Sequence, residues 1–313
     1  MSQPTGSVHV RRGAGASRRR VFVRRTAAVV AFAAVAGVAV WLVSLALGEI
    51  RHGSPQPAAA PATTSAPPPP PKPLRIVFPE GFTRKDMAAR ITAVNEIAKK
   101  RRHVTPKLSA KQYLTLTRRD KLPGKLAGDG RPRQLEGLLF PATYDFLPRT
   151  TTKQLVHKQL AAFRQAWAGI DLTYAKKRKL TPYDVLIIAS MVEKEAVVGS
   201  ERPLIAAVIY NRLKAGMPLG IDATIRYGLD VPGNEPLRES QLNSDNPYNT
   251  RKHAGLPPTP IANPGLASMK AAAHPAHKNY LYFVRKPDHK HHFFTASESE
   301  FLRKACEYGY GCG

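Results

Sequence analysis

The sequence predicts an α+β fold for its main domain, and two observations support this class. Several separated segments carry apolar residues at helical spacing, which is typical of amphipathic helices packed on a core. Two short apolar runs, 279–284 and 291–295, flank a basic turn and predict a β-hairpin. Helices and strands do not alternate as regular β-α-β units, so a doubly wound parallel sheet is not favoured.

The individual elements can be assigned in order along the chain. Residues 74–82 predict a short strand and a turn, after which Thr83 and Asp86 have the spacing of a helix N-cap. Apolar residues follow Thr83 at helical spacing. Further helices are predicted over 152–167, 182–198, 202–214 and 266–273.

The chain has 313 residues, with 48 Lys and Arg against 22 Asp and Glu, and a formal net charge of +26. This length allows one large or two modest domains with a proper core. The charge indicates a polyanionic neighbour, which is nucleic acid, anionic lipid or an acidic polymer; a solvated basic surface is the alternative.

Residues 27–47 contain no charged side chain and are long enough to cross a hydrocarbon core of roughly 30 Å. Residues 1–26 carry seven arginines and no acidic residue, so the positive-inside rule places this basic arm in the cytoplasm. A cleaved signal peptide is the alternative. The apolar stretch exceeds a usual signal core and lacks a clear cleavage site, which favours an uncleaved single-pass anchor.

The remaining chain is expected outside the membrane. Residues 48–73 are rich in proline and alanine, which predicts a semi-rigid polyproline linker. Beyond it we expect an N-terminal part of the outer domain over 74–134, a catalytic domain over 135–302 and a short tail over 303–313. In this location nucleic acid is an improbable partner, whereas anionic lipid or an anionic wall polymer remains suitable.

The two cysteines, Cys306 and Cys312, both lie in the tail. Their spacing permits a small disulfide loop in an oxidising compartment, and free thiols are the alternative. No histidine pattern accompanies them, so no metal site is predicted, and no cofactor motif was found.

The segment 189–196, ASMVEKEA, places two carboxylates at the margin of an apolar helix. Glu193 and Glu195 are two positions apart and so lie about 200° apart on opposite flanks of the apolar face. A carboxylate in such a position is either paired with a basic residue or held protonated in a poorly solvated site, as a general acid requires. Helical spacing alone does not choose between the two glutamates.

Much of the outer domain resembles the MltG/YceG-like family of endolytic peptidoglycan transglycosylases, which are membrane-anchored enzymes of the bacterial wall. The motifs that carry this resemblance occur in the same order as in the family. They are LEGLLFPATYDF (135–146), ASMVEKEA (189–196), GSERPLIAAVIYNRLKAGMPL (199–219), DATIRYGL (222–229), NPYNTRKHAGLPPTPIANPGLAS (246–268), AAAHPA (271–276) and the hairpin with YLYFV and HHFFT (280–295).

The resemblance implies that Glu195, the second glutamate of the VEKE motif, is the catalytic residue. It also implies cleavage of the MurNAc–GlcNAc β-1,4 bond without water, which leaves a 1,6-anhydro-MurNAc end. A single glutamate suits this reaction because it can first protonate the leaving oxygen and then deprotonate the C6 hydroxyl of the sugar. Glu193 and Glu201 are then expected to stabilise the fold, with Arg202 as an ion-pair partner of either.

The family motifs also imply a set of substrate-binding residues. Other interpretations stay open: Glu136 could close a turn, Asp222 could cap the turn that follows it, and His291 could be structural or, less readily, a base. The predicted binding residues are Glu136, Tyr144, Asp222, Thr224, Tyr227, Asn249, Thr250 and His291.

Three departures from the family pattern weaken these binding predictions: Ala142, Arg251 and Lys290 replace an aspartate, an aromatic residue and a glycine. The LysM-like region that usually precedes the catalytic part is also missing. The sequence therefore predicts an anchored enzyme acting on nascent glycan strands, with peptidoglycan synthases as candidate partners. A catalytically silent wall-binding scaffold of the elongation or division machinery is the alternative.

Overall fold

The computed structural model describes residues 72–118, 120, 126 and 133–311. All of them belong to one compact unit, Pro69–Gly313. The predicted basic arm, membrane segment and most of the linker lie outside the described residues, as does Cys312. Within the described part, no helix is both long and apolar enough to cross a membrane.

The described chain mixes helices with two small antiparallel sheets, which confirms the α+β class. A single-turn 3₁₀ helix spans Gly199–Glu201. The elements in chain order are β1 (Leu74–Val77), α1 (Arg84–Arg102), α2 (Ala110–Arg118), β2 (Thr143–Phe146), α3 (Thr152–Ala168), α4 (Thr173–Lys176), α5 (Pro182–Glu195), α6 (Arg202–Lys214), α7 (Asp222–Leu229), α8 (Glu239–Leu242), α9 (Leu266–Ala273), β3 (Tyr282–Arg285), β4 (His292–Thr295) and α10 (Glu298–Glu307).

The helix starts follow from local side-chain chemistry. Thr83, Thr151 and Thr181 cap α1, α3 and α5, and each accepts a hydrogen bond from the backbone N–H three residues later. The side chain of the third residue after each threonine accepts a hydrogen bond from the backbone N–H of that threonine, which completes a capping box. The predicted cap at Thr83 is thereby confirmed.

The first of two hydrophobic cores lies under the N-terminal sheet. Strands β1 and β2 pair antiparallel, with Leu74 opposite Phe146 and Val77 opposite Thr143. Helices α1, α2 and α3 pack on this sheet and contribute Met87, Tyr113 and Leu155 to the core. This core positions the loop that carries residues 134–142.

The second core surrounds α5, which is buried along almost its whole length from Tyr183 to Val192. Helices α6 and α9 pack against it. An apolar helix with this much contact is held by burial on all sides rather than by one amphipathic face. The backbone at both ends of α5 is therefore fixed by the core.

The α5 helix is shorter than the sequence prediction. We expected a helix over 182–198, but it ends at Glu195, and Ala196 has an extended backbone with φ −78° and ψ 117°. The following residues, Val197 and Val198, are β-branched and have a lower helix propensity. Glu195 therefore lies at the C-terminal end of this helix and not in its interior.

The C-terminal hairpin forms as the sequence predicts. Strands β3 and β4 pair antiparallel, with Tyr282 opposite Thr295 and Arg285 opposite His292. Helix α10 packs against both strands. The hairpin therefore presents Arg285 and His292 together at the end of the ladder nearest its turn.

Candidate active site

The carboxyl group of Glu195 lies between the end of α5 and the start of α7. The residue is partly exposed, and the Ala223 backbone N–H at the start of α7 is among the influences that lower its pKa. Desolvation raises the pKa of Glu195 to about 7, although the Arg285 guanidinium opposes this rise. A carboxylic acid with a pKa near neutrality retains a proton to donate at neutral pH.

Other charged side chains around Glu195 act in opposite directions on its pKa. After desolvation and Arg285, the next largest influence is the Asp222 carboxylate, which raises the pKa, while Lys194 lowers it. Asp222 itself forms an ion pair with Arg251, whose Nη2 lies 2.7 Å from Asp222 Oδ1. Arg251, one of the departures from the family pattern, thus neutralises a carboxylate beside the candidate acid.

Glu193 lies on the opposite side of α5, as the helical spacing predicts. Its Oε2 accepts a hydrogen bond from the Gly265 backbone N–H at 3.0 Å, and Arg202 Nη2 lies 3.9 Å from its Oε1. The Glu193 side chain is only 7% exposed. It is therefore held by the fold and has no open side for a substrate.

Glu201 is also occupied within the fold, but its partner differs from the predicted arginine. Oε1 accepts a hydrogen bond from the His292 backbone N–H at 2.9 Å, and Oε2 lies 2.7 Å from His292 Nδ1. The structure thus assigns Arg202 to Glu193 and His292 to Glu201. Of the three glutamates in 189–201, Glu195 is the one whose carboxyl group has no ion-pair or hydrogen-bond partner at bonding distance among the described residues.

Glu136 is another carboxylic acid with a raised pKa, but it is buried. Burial raises its pKa to about 7, while hydrogen bonds from Arg84, Tyr227 and Asn263 oppose the rise. Both oxygens accept from the Arg84 backbone N–H, Oε2 also accepts from Tyr227, and Oε1 from Asn263 Nδ2. Glu136 therefore joins the start of α1, the helix α7 and the loop before α9.

The adjacent Gly137 explains why the segment begins with Glu-Gly. Its φ is +85°, and a Cβ at this position would lie 2.7 Å from two side-chain atoms of Pro260. Only glycine accommodates both the backbone conformation and this close approach. Glu136 and Gly137 thus hold the loop that carries residues 134–142 against the 256–265 segment.

Several of the predicted binding residues are buried and hydrogen-bonded within the chain. Thr224 and Thr250 lie 3.0 Å apart through their hydroxyls, and Asn249 Nδ2 donates to two backbone carbonyls. Tyr144 is 8% exposed and donates to the Phe140 carbonyl. In this structure these side chains shape the loops around α7, and a direct role in glycan binding stays a prediction.

The other predicted binding residues are more open. Tyr227 is half-buried and donates a hydrogen bond to Glu136, and its ring lies tilted against that of Tyr248 with centroids 5.2 Å apart. Asp222 is partly exposed in its pair with Arg251, and His291 is exposed, with its Nδ1 2.8 Å from Asp288 Oδ2. His291 belongs to the hairpin turn, so it stays a candidate for substrate contact.

Sequence reasoning missed Arg285 and His292. The signal available was weak: Arg285 directly follows the predicted strand 279–284, and His292 follows the histidine that the family motif selects. Asn263 was missed as well, although it lies in the quoted proline-rich motif. No group of three or more His, Cys, Asp or Glu side chains within the described ranges is arranged to hold a metal ion.

The fold and the site define a class of protein: an α+β domain with one partly exposed carboxylic acid of raised pKa at the end of a buried helix. The chain belongs to the YceG-like family, whose model matches residues 49–307. This result confirms the resemblance noted in the sequence.

Individual relatives agree with the family assignment. The chain is 34% identical over 215 residues to an endolytic murein transglycosylase of Bacillus subtilis, a match that covers 68% of this chain and 59% of that protein. It is 32% identical over 250 residues to an endolytic murein transglycosylase of Streptococcus pneumoniae, covering 74% of this chain and 44% of the relative. The chain thus spans about half the length of these curated relatives.

A solved structure shows the same fold. The crystal structure of a YceG-like protein from Listeria monocytogenes superposes with a TM-score of 0.60 at 30% identity, covering 74% of this chain and 76% of that one.

Proposed function

We propose that this protein is an endolytic peptidoglycan lytic transglycosylase, a lyase that cleaves the MurNAc–GlcNAc β-1,4 bond within glycan strands and forms 1,6-anhydro-MurNAc ends. One observation carries the proposal: Glu195 is a partly exposed carboxylic acid with a pKa of about 7, and Glu193 and Glu201 beside it are engaged in the fold. The names of the relatives, endolytic murein transglycosylases, support the same substrate and reaction.

In the proposed mechanism Glu195 first acts as the acid. Its proton passes to the glycosidic oxygen while the bond from that oxygen to the MurNAc C1 breaks. The raised pKa of Glu195 keeps a substantial fraction protonated near pH 7. The N-acetyl group of the substrate can stabilise the positive charge that develops at C1.

In the second half Glu195 acts as the base. The carboxylate removes the proton from the C6 hydroxyl, whose oxygen bonds to C1 and closes the 1,6-anhydro ring. This step restores the protonated acid, and no water is consumed. A second carboxylate, which a hydrolase usually needs as nucleophile or base, is therefore unnecessary.

We also propose that the buried residues of the family motifs position the site, while the more open ones contact the glycan. Glu136, Thr224, Asn249 and Thr250 hold α7 and its flanking loops by hydrogen bonds within the chain. The candidates for direct contact are Asp222, Tyr227 and His291.

The location follows from the sequence alone. We propose a single-pass anchor over 27–47 with the N-terminus in the cytoplasm and the enzyme domain outside, where nascent glycan strands are the substrate and synthases are the expected partners. The apolar stretch and the arginines before it support this arrangement. Protease accessibility in intact spheroplasts tests it, since the proposal expects cleavage after residue 48.

The activity is tested with the purified full chain in detergent and uncrosslinked glycan strands. We expect mass spectrometry to show internal fragments with anhydro-MurNAc ends and no reducing ends. Strands left intact by a folded wild-type protein would overturn the proposal and favour the scaffold alternative, for which no observation in the structure speaks. Fragments with reducing ends would instead indicate a hydrolase.

A further inference from the structure

The C-terminal end of α1 carries a basic surface that the candidate active site does not use. Its last turn is Lys99–Arg102, four consecutive cationic residues that are all exposed. None of these four side chains lies within ion-pair distance of a carboxylate in the described part of the chain. Cations interact favourably with the dipole at a helix C-terminus, but the dipole does not explain the apolar side chain that lies beside them.

Ile97 is this apolar side chain, and it is 54% exposed. Lys100 and Arg101 follow it three and four positions later, so all three lie on one side of α1. Glu96, the exposed acidic residue just before Ile97, forms no ion pair with them. The basic face of α1 consists of Ile97, Lys99, Lys100 and Arg101. An exposed apolar group among cations is typical of helices that contact anionic lipid, where the cations meet the headgroups and the apolar group enters the boundary below.

Helix α10 shows the contrasting arrangement. Leu302 is 48% exposed there and is followed by Arg303 and Lys304. Both of these cations lie within ion-pair distance of Glu307, at 3.4 and 2.9 Å. The positive charge next to Leu302 is therefore compensated within its own helix, whereas the charge of the basic face of α1 remains available to a partner.

The same end of α1 contacts the residues through which the linker joins the domain. Arg102 Nη1 donates to the Pro73 carbonyl at 3.2 Å, and its Nη2 donates to the Lys72 carbonyl at 3.5 Å. Residues 48–71 therefore tether the domain to the apolar segment 27–47 at this end of α1. Because an extended chain spans at most about 3.5 Å per residue, this tether reaches no further than roughly 80 Å.

We propose that the basic face of α1 docks on anionic lipid headgroups and holds the domain against the membrane. The inference rests on the single-pass anchor proposed above, which keeps the start of the linker at the lipid surface. Each Lys or Arg near an anionic surface favours the docked state about fivefold, so the three of this face favour it about 10²-fold. Docking confines the domain to glycan close to the membrane, although the linker is long enough to reach beyond it.

Docking is tested on the full chain reconstituted into lipid nanodiscs, by the rate at which a neutral acetylating reagent modifies individual lysines. Lys99 and Lys100 report on the basic face. Lys177 and Lys179, exposed lysines of the basic run after α4, are the control within the same molecule. In nanodiscs that contain phosphatidylglycerol, we expect Lys99 and Lys100 to react at least about fivefold more slowly than in zwitterionic nanodiscs. The control lysines should keep their rates, and equal slowing at all four positions would overturn the proposal.

Two additions decide the nature of the partner. Salt at about 1 M shortens the Debye length to about 3 Å and should restore the rates of Lys99 and Lys100 in the anionic nanodiscs. Slowing that salt does not change would contradict an electrostatic contact. A soluble poly(glycerol phosphate), added to zwitterionic nanodiscs, tests an anionic wall polymer instead. Slowing by this polymer but not by anionic lipid would overturn the proposal in favour of a polymer-binding surface.

The apolar part of the face is tested at Ile97, because this change leaves both reporter lysines in place. Ile97→Glu removes the apolar group and adds a negative charge beside the headgroups. Leu302→Glu makes the matched change at the exposed leucine of α10. We expect Ile97→Glu to lose most of the slowing at Lys99 and Lys100, and Leu302→Glu to retain it. Equal slowing in the two variants would contradict docking through the basic face of α1.

The same preparations separate this inference from the proposed anchor. A chain that copurifies with both kinds of nanodisc but shows no slowing at Lys99 and Lys100 overturns docking alone. A chain that copurifies only with anionic nanodiscs, with slowing, supports docking and overturns the anchor. Copurification with neither overturns both. None of these results depends on glycan cleavage, so the proposed activity is judged by its own assay.

Discussion

Glu195 and Glu136 make an instructive comparison, because burial raises the pKa of both carboxyl groups to about 7. Glu136 is 1% exposed, and both of its oxygens have hydrogen-bond donors from three separate segments of the chain. Glu195 is a partly exposed residue, and its carboxyl group is influenced by charged side chains instead of being surrounded by hydrogen-bond donors. A raised pKa therefore marks both residues, but only Glu195 combines it with access for a substrate.

The comparison predicts that removal of Glu136 affects folding most. Glu136→Ala leaves the Arg84 backbone N–H, Tyr227 and Asn263 without their acceptor in a buried site. We expect the free energy of unfolding to fall by about 3 kcal/mol or more, since several buried groups lose a partner.

Chemical denaturation of the wild type and the variant measures this loss, with Glu195→Ala as the control. The Glu195 variant should lose much less stability, because no hydrogen-bond donor or ion-pair partner in the described chain depends on its carboxyl group. If the two alanine variants were equally stable, the contrast between a structural and an accessible carboxyl would be wrong.

The second prediction concerns pH. The folded state holds the Glu136 proton more tightly than the unfolded state, where the pKa is near 4.5. The contribution of this group to stability is therefore complete below pH 4.5 and is lost as the pH rises through about 7. In Glu136→Gln the side chain does not titrate, so the stability of the variant relative to the wild type should rise by about 3 kcal/mol between pH 4.5 and pH 8.

Thermal or denaturant unfolding at a series of pH values provides the test. Only the difference between the two proteins is used, so that the titration of other groups cancels. A stability difference that does not vary with pH would show that Glu136 titrates normally in the folded protein.

The third prediction uses two glycines to separate close packing from backbone strain. Gly137 and Gly216 both have positive φ, at +85° and +67°, but only Gly137 has a neighbour where a Cβ would lie. Gly216→Ala should cost about 1 kcal/mol for the backbone conformation alone. Gly137→Ala should cost about 3 kcal/mol, because Pro260 must also move.

Denaturation midpoints of the two variants, measured side by side, give both costs. Similar losses in the two variants would mean that the loop around Gly137 adjusts easily to an added Cβ. The close approach to Pro260 would then not determine the conformation of this loop.

The smallest predicted effect is at Asp222. Its carboxylate raises the pKa of Glu195, so Asp222→Asn should lower that pKa by less than one unit. The exposed ion pair with Arg251 contributes about 1 kcal/mol or less to stability, so the fold should persist. NMR titration of Glu195 measures the shift. A rise in the Glu195 pKa would contradict the assignment of Asp222 as a group that raises it.

The comparison also shows what the sequence could predict. Helical spacing placed Glu193 and Glu195 on opposite flanks, and the structure agrees because one side of α5 meets Gly265 and the other meets α7. The Thr83 cap and the 280–295 hairpin were likewise predictable, since they depend on residues close in sequence.

The remaining features depend on contacts between distant segments. Glu136 meets Asn263, which is 127 positions away, and Glu201 meets His292, which is 91 positions away. No local pattern reports such contacts, so neither of them was predictable. The end of α5 at Glu195 was missed because apolar residues continue past it in sequence while the backbone turns away.

The central claim, that Glu195 and not Glu136 is the acid and base of glycan cleavage, is tested most directly by one side-by-side assay. Glu195→Gln and Glu136→Gln are incubated with uncrosslinked glycan strands, and anhydro-MurNAc ends are counted by mass spectrometry per folded molecule. We predict that Glu195→Gln lowers the rate about 10²- to 10⁴-fold, while folded Glu136→Gln retains most of its activity. Equal losses in the two variants, or unchanged activity in Glu195→Gln, would contradict this account.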